Sequence, residues 1–240
     1  KHNKLQVFTN QTMKTVAIIQ ARMNSERLPG KTLFQISGRP VLQYIIDRLI
    51  HCDGIAEIVV ATSVMAENDA VDFYCIERKI ACHRGPEEDV AKRFIEVLEK
   101  YGYESFVRVN GDSPLIDQRL ISKGIKIFFN KNYDLVTNVF PRTYPKGQSV
   151  EVIKAESFKA AYSKMEEKDD KEHITRYFYS HSNEYEIFNF ESGNYYGDIQ
   201  LSVDTPRDMR VFENIIKKMD RSHWEYSYED ILRIYQNMTE

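Results

Sequence analysis

The chain reads as a three-layer α/β fold, an open and mostly parallel sheet covered by helices on both faces. Three observations predict it. Short β-rich runs alternate with longer amphipathic ones, the order of repeated βαβ units. The first run, Thr15–Gln20, is apolar without alternation, as strands buried on both faces are. The runs stop at polar or glycine-bearing turns, and right-handed crossovers bring such strand ends to one crevice.

Thr15–Gln20 is the first strand, and a loop bearing Pro29 and Gly30 follows. Residues 40–50 place Val41, Leu42, Tyr44, Ile45, Ile46 and Leu49 at helical spacing. Pro40 suits the first turn, where its missing amide has no intrahelical partner. Residues 58–62 read as a second strand, 67–79 as a helix and 81–84 as a third strand. A helix is predicted over 86–101, with Glu87, Glu88 and Asp89 in a first turn where the positive end of the macrodipole favours them. Ser105–Asn110 is the fourth strand and stops at Gly111-Asp112. Beyond it come a helix over 118–129, a strand over 133–137 and a loop over 138–147 holding Pro141, Pro145 and Gly147. A strand over 149–153 and helices near 156–166 and 170–180 follow. The stretch 138–192 is rich in Tyr and Phe and reads as an inserted dimerisation arm, so a homodimer is expected. Residues 199–203 form the last clear strand. Thr205 as cap, Pro206 at the first helical position and Asp208 three residues after the cap then start a helix. Residues 228–238 read as a terminal helix. Residues 1–13 are polar and aperiodic and are set aside as disordered or an upstream remnant, leaving 14–240 as one domain.

Hydrophobic residues at 42% and charged residues at 29% of the 240 can fill a core and keep a polar surface. The net charge of −3 offers no broad basic field for nucleic acid or an anionic membrane, so any phosphate binding must be local. Cys52, Cys75 and Cys82 are odd in number and lack CxxC spacing, which argues against a disulfide framework or a zinc site. No apolar run approaches the roughly 20 residues that cross a bilayer, and the N-terminus lacks a signal peptide's apolar core. A cytoplasmic protein is expected.

Residues 20–31 set Arg22, Arg27 and Lys31 around Ser25 at the end of the first strand. Backbone amides in a glycine-bearing turn form an anion-binding concavity, and guanidinium groups grip phosphate oxygens in pairs. Three cations there suit a triphosphate, although a solvated basic turn would look the same. The spacing matches neither a Walker A loop nor GxGxxG. Asp112 ends the fourth strand and Asp204 the last, so both carboxylates are expected at the same sheet edge, where they can hold magnesium beside phosphate oxygens. Asp112 alone reads equally well as a turn or cap residue, and Asp204 has a second reading as an extra helix-start carboxylate.

Five motifs in order carry a resemblance: Ile-Ile-Gln-Ala-Arg-x-x-Ser-x-Arg-Leu-Pro-Gly-Lys over 18–31, Asn-Gly-Asp-Ser-Pro-Leu-Ile-Asp over 110–117, Pro-Arg-Thr-Tyr-Pro-x-Gly over 141–147, Glu-His-Ile-Thr over 172–175 and Val-Asp-Thr-Pro-Arg-Asp over 203–208. The chain resembles the spore coat polysaccharide biosynthesis protein F family. That family is similar to the acylneuraminate and 3-deoxy-manno-octulosonate cytidylyltransferases, which join CMP to a sugar acid. The resemblance implies a Rossmann-like nucleotidyltransferase fold and transfer of CMP from CTP to a small sugar acceptor, with pyrophosphate released. Arg22, Arg27, Lys31 and Asp112 are the implied catalytic residues. Gln20, Ala21, Ser25 and Asn110 join the first three at the nucleotide. Asp112 and Asp204 would hold Mg²⁺, and Arg142, Tyr144, Gln148, Glu151 and His173 would face the acceptor. Asn110 and Ser113 stand where the octulosonate enzymes have Gln and Glu, which leaves the acceptor open. A sugar 1-phosphate nucleotidyltransferase and a non-catalytic nucleotide-binding homologue are the two alternatives.

Overall fold

The computed structural model describes residues 15–239. In chain order the strands are β1 (Thr15–Gln20), β2 (Gln35–Ile36), β3 (Arg39–Pro40), β4 (Ile55–Ser63), β5 (Ala81–Gly85), β6 (Ser105–Asn110), β7 (Leu135–Thr137), β8 (Glu151–Lys154) and β9 (Ile187–Asn189). The helices are α1 (Val41–Ile50), α2 (Asp69–Arg78), α3 (Val90–Tyr101), α4 (Gln118–Asn130), α5 (Ala155–Tyr162), α6 (Lys168–Glu172), α7 (Arg176–Ser180), α8 (Pro206–Lys217) and α9 (Tyr228–Thr239).

Alternate side chains of β1 feed two separate cores, which is what makes three layers. Ala17 and Ile19 pack with α1, α4, α8 and α9, while Val16 and Ile18 pack with α3, α5 and α7. The sheet runs β5-β4-β1-β6-β8-β7-β9, with β8 alone antiparallel to its neighbours; β2 and β3 form a separate hairpin. The chain leaves β1 toward β4 on one side and later returns to β6 on the other. The crevice past the ends of β1 and β6 is therefore a topological switch point, where open α/β sheets bind ligands. Gln20 and Asn110 stand side by side there.

Four expectations need correction. The third helix begins at Val90, where its apolar stripe begins, and Asp89 caps it by accepting from the Lys92 amide at 2.7 Å; Glu87 and Glu88 precede the helix. Residues 199–203 are not a ladder strand. Their bonds are split between two neighbours, Lys146 with Ile199 and Leu201 at 2.9 Å each, and Asp112 with Val203 at 2.7 Å. The stretch 138–192 is woven into the sheet rather than projecting as an arm, since β8 pairs with both β6 and β7 and β9 closes the edge. The helix expected over 170–180 breaks at His173 to Thr175, and the Thr175 hydroxyl accepts from Arg108 at 3.2 Å. The helix start at Thr205 is a capping box: Asp208 donates its amide to the Thr205 hydroxyl at 3.2 Å and accepts from the Thr205 amide at 2.8 Å. The assignment of residues 1–13 lies outside the described residues. Among the described residues no helix is long and apolar enough to cross a membrane.

Candidate active site

The loop after β1 turns back on itself through a 2.7 Å bond from the Gly30 amide to the Met23 carbonyl. This returns Lys31 to the crevice, where it is nearly buried. Its Nζ donates to the Val203 carbonyl at 2.7 Å and lies 3.2 Å from Asp204 Oδ1 and 3.6 Å from Asp112 Oδ2. The two carboxylates therefore face one cation although 92 positions, 112 to 204, separate them in the chain. Gly111 permits the approach from one side: a Cβ there would sit 2.7 Å from the Gln20 carbonyl. The Val203 amide, donating to the Asp112 carbonyl at 2.7 Å, fixes it from the other.

The electrostatics of this corner are unbalanced. Burial raises the Asp112 carboxyl above its usual range, and the neighbouring Asp204 charge adds to that, while Lys31 and the Ser113 hydroxyl pull it down. Arg27 pairs with Asp204 Oδ1 at 3.1 Å and is largely exposed, free to turn toward a ligand. Arg22 reaches Glu172 at 3.3 Å and Glu87 at 3.8 Å.

Two cavities meet here. The first, about 320 Å³, is lined by Gln20, Ala21, Arg22, Ser25, Arg27, Lys31 and Asn110, and also by Arg93, Glu172 and His173. The second, about 480 Å³, is lined by Arg142, Lys146, Ser149, Gln200, Ser202 and Thr205. Arg27, Asn110, Asp112 and Asp204 line both.

The structure thus gathers every expected nucleotide residue at one cavity and brings Arg142 to the other. The remaining acceptor expectations fare differently. Tyr144 packs among Phe190 and Tyr228 and donates its hydroxyl to the Glu191 carbonyl at 3.1 Å. Gln148 is 0% exposed, accepting from the Asp117 amide at 2.8 Å and donating to the Leu115 carbonyl at 2.7 Å. Glu151 is held by Arg108 at 3.0 Å and by the Tyr179 hydroxyl at 2.6 Å. Burial and that carboxylate push Tyr179 well above its ordinary range, so its hydroxyl stays a donor. Neither cavity is lined by these three residues. Glu151 acts at one remove: Arg108 also donates to Gln20 Oε1 at 3.0 Å, which orients the Gln20 amide. His173 lines the first cavity rather than the second.

A family model described as cytidylyltransferase matches residues 16–239. The chain belongs to the cytidylyltransferase family. Its members are nucleotidyltransferases. The spore coat polysaccharide biosynthesis protein SpsF of Bacillus subtilis is 29% identical over 84% of this chain and 85% of its own. A cytidylyltransferase from Leptospira borgpetersenii superposes with a TM-score of 0.89 over 95% of both chains at 23% identity. A CMP:2-keto-3-deoxy-manno-octonic acid synthetase complexed with CTP superposes at 0.65, over 85% of this chain and 99% of that one, at 20% identity.

Arg93, Lys146 and Gln200 were not singled out from the sequence. Arg93 left a readable signal. It follows Val90 by three and precedes Val97 by four, which sets a charge on the buried stripe of an amphipathic helix. Lys146 and Gln200 sit in irregular segments that gave no such signal.

Proposed function

We propose that this enzyme transfers CMP from CTP to a sugar acid by attack of an acceptor oxygen on the α-phosphorus, with pyrophosphate leaving. The shared wall of the two cavities carries the reading. A nucleotide in the first and an acceptor in the second meet at Asp112 and Asp204. The family description and the CTP held by the synthetase neighbour support the choice of nucleotide.

Asp112 and Asp204 are an all-oxygen pair, and the described residues hold no group of three or more acidic, His or Cys side chains that could bind a metal. Two carboxylates completed by phosphate oxygens fit magnesium, which takes few protein ligands. The raised Asp112 carboxyl also fits, since a divalent cation relieves the repulsion between the two acids. We therefore assign both to Mg²⁺, which when bound offsets charge on the α-phosphate. Arg22, Arg27 and Lys31 neutralise the charge that grows on the phosphate oxygens and the leaving pyrophosphate. Ser25, Gln20 and Asn110 orient the nucleotide. No covalent protein nucleophile takes part.

In the second cavity Arg142 Nη1 is buried without a hydrogen-bond partner while Nη2 donates to Ser149 at 3.0 Å. That spare donor suits an acceptor carboxylate. With CTP, Mg²⁺ and a panel of sugar acids and sugar 1-phosphates, pyrophosphate release with a sugar acid is expected. Release with sugar 1-phosphates alone, or none while CTP still binds, would overturn the reading. The same proposal includes a cytoplasmic location and a homodimer, the latter supported by exposed Phe140, Phe188 and Tyr195 in 138–192. A monomer in sedimentation at assay concentration would remove the dimer.

A further inference from the structure

The loop from Gln20 to Lys31 leaves the sheet after Ala21, whose amide donates to the Ala61 carbonyl at 3.1 Å. Two bonds then clasp its outgoing and returning ends together. The Gly30 amide donates to the Met23 carbonyl at 2.7 Å, and the Thr32 hydroxyl to the Arg22 carbonyl at 2.8 Å. They set Arg22 against Lys31, but both join the loop to itself or to the residue that follows it. The backbone of the clasp is fixed from outside by Asn68, whose Oδ1 accepts from the Met23 amide at 2.8 Å. The Met23 peptide is thus held at both ends, its amide by Asn68 and its carbonyl by Gly30.

Asn68 ends the 3₁₀ turn Ala66–Asn68 and directly precedes α2. An Asn in that place ordinarily accepts from an amide of the first helical turn, and here it makes no such bond. Its side chain is 0% exposed and turned to the loop instead, with Nδ2 donating to the Ser63 hydroxyl at 2.7 Å. Ser63 closes β4, so the loop after β1 is moored to the end of the neighbouring strand through one amide group whose donor and acceptor are both used. The helix gains no cap from this side chain, while a loop 45 positions away gains a fixed point. Asn24 also reaches outward, to Glu87 Oε1 at 2.6 Å, but that bond is exposed and competes with water.

We propose that Asn68 is a positioning residue for the triphosphate: by holding the Met23 peptide it keeps Arg22 and Lys31 facing one polyphosphate, without touching the ligand. Asn68 itself lines neither cavity. The inference rests on the reading that residues 20–31 hold the triphosphate. Three measurements on wild type, Asn68→Ala, Lys31→Met and Gln148→Ala test it: calorimetric titration of inorganic tripolyphosphate, hydrogen exchange at the Met23 amide, and pyrophosphate-release kinetics. Asn68→Ala is expected to lose tripolyphosphate affinity by roughly 10-fold, the worth of one hydrogen bond, with the KM for CTP raised and the acceptor KM unchanged. Gln148→Ala, destabilised behind the second cavity, should bind tripolyphosphate as wild type does, which separates positioning from loss of stability. The Met23 amide of wild type should exchange slowly without ligand, a result that depends on no variant folding. Fast exchange there would overturn the proposal. So would an Asn68→Ala that binds tripolyphosphate like wild type, or that loses no more affinity than Gln148→Ala. Lys31→Met with wild-type affinity for tripolyphosphate would instead refute the phosphate reading of the loop, on which the inference depends.

Discussion

The two halves of the cleft are built on different principles. The half proposed for the nucleotide stands on parallel strands whose ends are fixed by ladders, and the residues proposed for its phosphates fall within one loop from Gln20 to Lys31. The half proposed for the acceptor draws Arg142, Lys146 and Ser149 from one irregular segment and Gln200, Ser202 and Thr205 from another. Those segments are joined by the bonds of Lys146 to Ile199 and Leu201. A sheet edge holds a rigid cradle for an invariant triphosphate, while irregular segments tolerate change, which suits the half that selects the acceptor.

Lys31→Met should give the largest effect and confine it to chemistry on the nucleotide side. Removing a preorganised donor slows turnover by roughly 100- to 1,000-fold, read as pyrophosphate release at saturating CTP. An effect on acceptor KM alone would erase the division between the halves. Arg142→Gln sharpens it from the other side: acceptor KM should rise by roughly 10- to 100-fold, for loss of a charged hydrogen bond, with the KM for CTP unchanged. Gln148→Ala tests whether a buried residue behind the second cavity is structural. Two buried backbone partners, the Asp117 amide and Leu115 carbonyl, would be left unpaired, and stability should fall by roughly 1–3 kcal/mol in chemical unfolding with acceptor KM unaltered.

The smallest effect concerns Asp112 and pH. Its carboxyl is raised in the folded state, so wild type is favoured when it is protonated and loses that contribution as pH rises through the raised value. Asp112→Asn removes the dependence. Its melting temperature should gain on wild type as pH climbs from about 4, the ordinary Asp value, toward neutrality; a gap that closes instead would contradict the raised carboxyl.

The same division decides what was legible in the sequence. β1, β4 and β6 are long or apolar enough to announce themselves, and the loop cations lie close together. Asp204 was read correctly as a sheet-edge carboxylate for a partly mistaken reason. It follows no ladder strand and reaches Asp112 through the Val203 amide, a tertiary bond that no local pattern encodes. Tyr144 and Gln148 satisfy backbone carbonyls and an amide of neighbouring segments, at Glu191, Leu115 and Asp117, and sequence does not distinguish such struts from ligand contacts. Glu151 opens a strand of four residues, too short to show which neighbours its side chain meets. Arg93 was visible as a charge on an apolar stripe, but the cavity it lines exists only in three dimensions.

The central claim is that Asp112 and Asp204 form the point where the two bound substrates meet. Pyrophosphate release from CTP and Mg²⁺ with a turned-over sugar acid, compared between wild type and Asp204→Asn, tests it most directly. The account predicts a loss of roughly 100- to 1,000-fold while the variant still melts as a folded protein. Turnover near the wild-type rate in Asp204→Asn would contradict it.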